Sequence, residues 1–223
     1  MKKTLLFVFF SLIVCCTLSA QYAYRLNADI LTKTRLVDST FQVSKGKVYY
    51  DMNAKKIIYD LKFPHKEKIV LFDTLMYTFN EQGLQSKTLN YLLPEQSIFH
   101  FMLTGNLDNY GLYESNFTTT AVEKHKDLVI TTWCPPEQMK PILSKIQIAT
   151  RNKLIYSITM FDGDEQILNR QILKNYQYID GINIPTEILL ATYLSQGTVY
   201  QIITLNNIKI NERGNDQKYN HEL

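Results

Sequence analysis

The residue types that carry chemistry are few in this chain and poorly placed for it. The four histidines, His65, His100, His125 and His221, are scattered, with no paired spacing that would hold a metal ion. His100 falls on an apolar stretch, where a satisfied or partly exposed core imidazole is expected rather than a ligand. Asp162-Gly163-Asp164-Glu165 has the outline of a cation loop, but the remaining ligand positions of an EF-hand are missing, and a hairpin turn accounts for the same residues. Neither a Gly-rich phosphate loop nor a G-x-S-x-G elbow occurs. Trp133-Cys134-Pro135-Pro136 reads as a strand stopped by prolines. No nucleophile signature surrounds Cys134, which reads as a small buried apolar side chain. With no catalytic set to name, the expectation is a protein that is not an enzyme and uses neither cofactor nor metal.

The amino terminus has the layout of an export signal. Lys2 and Lys3 form a basic start, Leu5 to Val14 an apolar run broken by Ser11, and Thr17 to Ala20 a small-residue approach to a cut at Ala20–Gln21. An apolar core of ~10 residues is too short for a spanning helix, which needs about 20. Lipidation would want a small residue before the modified Cys, whereas Val14 precedes Cys15 and Cys15 precedes Cys16. Removing residues 1–20 leaves Cys134 alone, so the mature chain cannot form an internal disulfide. The expected compartment is the periplasm. Net charge is +3 with Lys and Arg scattered, so the concentrated basic face that nucleic acid requires is absent.

The elements that would position any site are mostly strands. Residues 22–37 resemble a short helix, with Leu26, Ile30, Thr34 and Val37 on one face. From Phe41 the period becomes two: Ile57, Tyr59, Leu61 and Phe63 alternate with Lys56, Ile58, Asp60 and Lys62 up to Pro64. Lys68 to Phe72 and Leu75 to Phe79 read as a hairpin. A helix is expected after Pro94, with Ile98, Phe101 and Met102 as a stripe widened by Phe99 and Leu103, ending at Gly105-Asn106. Asn106 to Asn116 reads as a loop or a broken second helical turn. Further strands are expected at 117–122, 128–133, 146–150, 154–161, 166–178, 184–193 and 198–205, separated by polar turns. Such regularity implies a meander rather than βαβ units. Residues 21–212 make one domain, expected to be monomeric, and 213–223 a loose tail.

A sheet of ten or so antiparallel strands must curl, split or close. The architecture expected is mainly β: a curved antiparallel sheet forming an incomplete, half-open barrel, with short helices covering its concave face. The helix residues Ile98, Phe99, Phe101, Met102 and Leu103 would be the cover. Leu154, Tyr156, Ile158 and Met160 could line the hollow from one strand. Leu128, Ile130 and Thr132, or else Val129, Thr131 and Trp133, could line it from a neighbour. Periodicity alone leaves a solid core and a ligand cavity both open. Under the cavity reading, a charge at Phe101 or Met102 should spare the fold and weaken acyl binding.

Phe41-Gln42, Gly46-Lys47-Val48-Tyr49-Tyr50, Ile57-Tyr59-Asp60-Leu61 closing on Pro64, then Ile69-Val70 and Leu75 to Phe79, resemble the opening of the LolA-type outer-membrane lipoprotein carrier superfamily. Asn175 to Thr186, with Asp180-Gly181 and Ile184-Pro185, is similar to a turn of related lipoprotein-sorting proteins. The resemblance spans Thr40 to Leu205. It implies a half-barrel with a helical lid and a carrier for the acyl chains of lipoproteins or other lipids. The implied partners are an inner-membrane lipoprotein-releasing transporter and an outer-membrane acceptor. A lipid-sensing module or a LolB-like receptor on the same fold is the alternative. The family's Arg-Pro pair falls here on Asn53-Ala54, which puts its usual release mechanism in doubt; Lys55 and Lys56 are no substitute for a planar guanidinium.

Overall fold

The computed structural model describes residues 23–90, 93–105, 110–113 and 115–222. The stretch read as an export signal, the cut expected at Ala20–Gln21 and Cys15 and Cys16 lie outside the described residues, as does much of the stretch read as a loop after Gly105. One antiparallel 13-stranded sheet dominates, with strand order β6-β5-β4-β3-β2-β1-β13-β12-β11-β10-β9-β8-β7. Its strands are β1 (Arg25–Arg35), β2 (Phe41–Asp51), β3 (Lys56–Phe63), β4 (Glu67–Phe72), β5 (Leu75–Asn80), β6 (Gly83–Leu89), β7 (Thr118–His125), β8 (Leu128–Cys134), β9 (Lys145–Arg151), β10 (Leu154–Phe161), β11 (Ile167–Ile179), β12 (Ile182–Leu194) and β13 (Gly197–Ile210). The helices are α1 (Ile98–Thr104) and α2 (Asp216–Tyr219). The sheet curves but does not close, so the half-open β architecture expected from the sequence is present.

Two features of this order matter. First and last strands pair at the centre, Ile30 opposite Leu205 and Thr34 opposite Gln201. The free edges are therefore β6 and β7, which are consecutive in sequence. The chain between them has to cross from one edge to the other, and α1 lies on that crossing. Curvature comes from register shifts that bend individual strands, as at Lys45/Gly46, Ile155/Ser157 and Met160/Phe161. At the first of these only glycine fits, because a Cβ on Gly46 would stand 2.2 Å from the Asp60 carbonyl oxygen.

The helix expected over 22–37 is a strand instead, and a central one. Leu26, Ile30 and Thr34 are spaced by four, a spacing that suits one helix face and one strand face equally. Ala28, buried on the same side as Leu26 and Ile30, breaks the tie in favour of period two. Pairing to both β2 and β13 then satisfies the backbone of β1 on both sides.

The tail expected to be loose also differs. Tyr219 of α2 is buried on the convex face with Tyr49, Ile58 and Val70, its ring edge-on to Tyr49 at 5.3 Å. Asn27 Nδ2 donates to its hydroxyl at 2.7 Å. Lys56 Nζ donates to Asn220 Oδ1 and to the His221 carbonyl, both at 3.1 Å. Arg25 pairs with Asp51 at 2.6 Å and with Asp216. The apolar side chains that β2, β3 and β4 turn outward need cover, and one tyrosine with a few hydrogen bonds supplies it.

Candidate functional site: the helix on the concave face

The sequence punctuates α1 at both ends. Leu93 leads into a short 3-10 turn, Pro94–Gln96, and Ser97 caps the helix, its Oγ accepting from the His100 N–H at 3.3 Å. Gly105 ends it in the left-handed conformation at φ 73°. A helix of seven residues has little stability of its own, so packing must hold it in place.

That packing divides between two apolar clusters. Phe99, Met102 and Leu103 join Leu26, Ala28, Val48, Tyr50, Ile57, Ile184, Ile188 and Leu205, from the central strands and their neighbours. Phe101 joins Tyr110, Leu112, Phe117, Trp133, Ile146, Ile148, Ile155, Ile158 and Leu173 on the β8 to β11 side. Ile98 packs against both. The Phe101 and Tyr110 rings lie 4.4 Å apart, and Gly111, at φ 66°, passes so close that a Cβ there would meet the Phe101 ring at 2.4 Å. Met102 is wholly buried. Side chains of α1 therefore fill the apolar part of the concave face.

One hydrogen bond joins the polar side of the helix to the sheet. The Tyr50 hydroxyl lies 2.8 Å from His100 Nδ1. Burial lowers the His100 pKa; Lys55 adds to the shift and Glu95 opposes it. The imidazole is thus kept neutral at neutral pH. At the β2–β3 turn, where the resemblance places an Arg-Pro pair, the Ala54 N–H donates to Asp51 Oδ1 at 2.9 Å. Lys55 Nζ reaches Glu95 Oε1 at 3.0 Å, tying the turn to the residues just before α1. This pair is largely exposed, and such pairs contribute ~0–1 kcal/mol.

Of the residues picked from sequence, Ile98, Phe99, Phe101, Met102, Leu103, Trp133, Ile158 and Met160 converge on this region. Two do not. Ile130 pairs with Ala149 and so faces away from Trp133, which pairs with Ile146 on the concave side. Register, unresolved by sequence, thus selects the Val129, Thr131 and Trp133 face. Tyr156 sits at the Ile155/Ser157 register shift and lies against the Arg151 guanidinium, 4.5 Å from its ring centre, away from α1. The bulge hands its expected position to Ile155. Sequence reading missed Tyr50, whose parity with Val48 on one strand was the available signal. It also missed Tyr110 and Leu112, which fall where no periodicity exists, and Phe117, the first residue of an expected strand.

Cys134 is half-buried rather than enclosed. Asp162 closes its hairpin turn, Oδ1 accepting from the N–H groups of Asp164 and Gln166 at 3.0 and 2.8 Å. Among the described residues no group of three His, Cys, Asp or Glu converges as a metal site, and no helix is long and apolar enough to cross a membrane.

No protein-family model matches this chain, and no curated protein matches its sequence. Solved structures do. A DUF1329 family protein from Desulfovibrio piger superposes with a TM-score of 0.62 at 11% identity, over 90% of this chain and 91% of that one. A putative outer membrane lipoprotein-sorting protein domain from Vibrio parahaemolyticus gives 0.59 at 8% identity, over 88% and 89%. A LolA superfamily protein from Nitrosomonas europaea gives 0.57 at 13% identity, over 89% and 90%. Near-complete coverage in both directions at such low identity is a statement about the fold: this chain shares its fold with a LolA superfamily protein, a DUF1329 family protein and a putative lipoprotein-sorting domain.

Proposed function

We propose that this protein is a periplasmic carrier that takes up the acyl chains of lipoproteins, or of other lipids, on the concave face of its sheet and passes them towards the outer membrane. The observation that carries the reading is the seating of α1. An apolar helix, too short to be stable alone, lies on an apolar concave face between two free sheet edges. Acyl chains are chemically equivalent to the side chains now occupying that space. They enter when α1 lifts, and the apolar area lost by its side chains is regained against the lipid. Phe99, Phe101, Met102, Trp133, Ile158 and Met160 are the proposed acyl contacts. Transfer needs no covalent step, because direction follows from a difference in affinity between donor, carrier and acceptor. An inner-membrane releasing transporter as donor and an outer-membrane protein as acceptor fit this scheme.

Native mass spectrometry of the mature protein purified from the cell envelope tests this. The expected result is a population carrying lipid or acylated peptide, recovered in the soluble fraction. Protein free of adducts that also fails to bind a neutral fluorescent acyl probe overturns the carrier reading. Recovery only with membranes favours a receptor on the same fold.

A further inference from the structure

The concave face changes character along its strands. On β1 the inward positions run Leu26, Ala28, Ile30 and then Thr32 and Thr34. On β2 they run Tyr50 and Val48, then Ser44 and Gln42. On β13 Leu205 and Ile203 give way to Gln201, and on β11 Leu173 gives way to Gln171 and Asn169. Cross-strand pairing brings these polar residues to one level, with Leu190 between the two glutamines: Gln171 opposite Leu190, Leu190 opposite Gln201, Gln201 opposite Thr34, Thr34 opposite Gln42. Beyond the part filled by α1, β1, β2, β11 and β13 thus present hydrogen-bonding, uncharged side chains to the concave face, interrupted by Leu190 of β12. Charged residues of these strands, Lys33, Arg35, Lys45 and Arg170 among them, occupy the alternate positions and point to the convex side.

The uncharged zone also holds capacity that the protein does not use. Asn169 Oδ1 is buried without a hydrogen-bond partner, while its Nδ2 meets only the Met160 sulfur at 3.5 Å. Trp133 Nε1 is likewise buried and unpaired, at the border where this row runs into the apolar cluster of Phe101: Trp133 opposite Ile146, Ile146 opposite Met160, Met160 opposite Asn169. Buried polar atoms are nearly always paired, so one orphaned acceptor and one orphaned donor in one row call for a partner. At the other end of the zone, Thr34, Gln42 and Ser44, with Phe41 and Phe63, line an open cleft of about 610 Å³.

We infer that the cargo site takes amphiphiles whose head group is uncharged and carries both a hydrogen-bond donor and a carbonyl, such as an N-acyl amide or a hydroxyl-bearing glycerol ester, and discriminates against fatty-acid anions. The inference builds on the carrier reading and adds the head-group class. The tail replaces α1 in the apolar half, and the head lies on the uncharged polar half. An amide N–H or a hydroxyl satisfies Asn169 Oδ1, and a carbonyl oxygen satisfies Trp133 Nε1. An ionised carboxylate is acceptor-only and would be desolvated against Gln42, Thr34, Gln201 and Gln171, a row that offers no cation to pair with it.

The test is displacement of N-phenyl-1-naphthylamine from the mature full-length protein at pH 8 by two lipids sharing one acyl chain, monopalmitoylglycerol and palmitate. Monopalmitoylglycerol is expected to displace the probe at about a tenfold lower concentration. Gln201→Lys, which places a cation on the polar floor, is expected to erase or reverse that preference, with its fold checked by circular dichroism. Equal displacement by the two lipids in the wild type, or a preference that survives unchanged in folded Gln201→Lys, overturns the head-group assignment alone. A Gln201→Lys chain that does not fold leaves the wild-type comparison to decide. Failure of the probe and of both lipids to bind overturns the assignment and the carrier reading together.

Discussion

The hydroxyl of Tyr50 and Nδ1 of His100, 2.8 Å apart, join the second strand of the sheet to the helix that covers it. With the imidazole neutral and its proton on Nε2, the tyrosine donates and Nδ1 accepts. Tyr50→Phe removes this bond while keeping the ring against Phe99, whose centre lies 6.4 Å away. A cost of about 1 kcal/mol is expected, confined to the helix. Hydrogen exchange at the amides of α1 should quicken severalfold, with the central strands unchanged; uniform exchange throughout would show that the bond does not hold the helix.

The same bond makes the cover sensitive to acid. Because burial lowers the folded-state pKa of His100 below its ordinary 6.5, folding favours the neutral ring. The favourable contribution is complete above 6.5 and is lost as pH falls through the lowered folded value. Exchange of an acyl probe should therefore accelerate on going from pH 7.5 to 5.5, and the acceleration should be absent in His100→Gln. Identical pH profiles for the two proteins would assign the effect to another group.

Removal of the helix cap gives a size standard for these effects. Ser97→Ala deletes the oxygen that accepts from the His100 N–H and that itself donates to the Pro94 carbonyl at 2.6 Å. The expected loss is about 1 kcal/mol. In a chain of this length that lowers the melting temperature by about 2–4 °C. Lys55→Ala, which deletes the exposed pair with Glu95, should shift it by less than about 2 °C. A larger shift for Lys55 than for Ser97 would invert the ranking and make the turn the main tether.

Substitutions inside the helix are less innocent than its sequence suggests. A charge at Met102 was expected to leave the fold intact, but the side chain is fully buried among Leu26, Tyr50 and Leu205, and an Asp there would have no partner. Met102→Ala is the usable variant. It should cost about 2–4 kcal/mol in chemical denaturation and raise the affinity for an acyl probe, because a smaller side chain competes for the same space. Weaker probe binding with an intact melt would place acyl chains elsewhere.

Anchoring by the C-terminal segment can be checked directly. Tyr219→Phe removes the 2.7 Å bond from Asn27 and should cost about 1 kcal/mol. Tyr219→Ala also opens a hole over Tyr49, Ile58 and Val70 and should cost roughly 3 kcal/mol. Equal melting temperatures for wild type and Tyr219→Ala would mean that the segment does not stay docked.

Local chemistry determined much of this protein from its sequence alone. Period-two alternation around Ile57 to Phe63, the turn residues at Asp162 and Asp180-Gly181, and the Pro94 and Gly105 boundaries of α1 act through nearest neighbours, so they are legible without the fold. Tertiary structure decided what depends on distant partners. A spacing of four on β1 fits two periods, and pairing with β2 on one side and with β13, from the far end of the chain, on the other makes it a strand. A single register shift sends Tyr156 away from the site, and pairing with Ile146 rather than Ala149 gives Trp133, not Ile130, to the concave face. Ser44, Thr34, Gln201 and Gln171 look like ordinary strand polars one at a time. They become one surface because β1 and β2 from the start of the chain and β11 and β13 from its end turn the same face inward at the same or the adjacent level of the sheet.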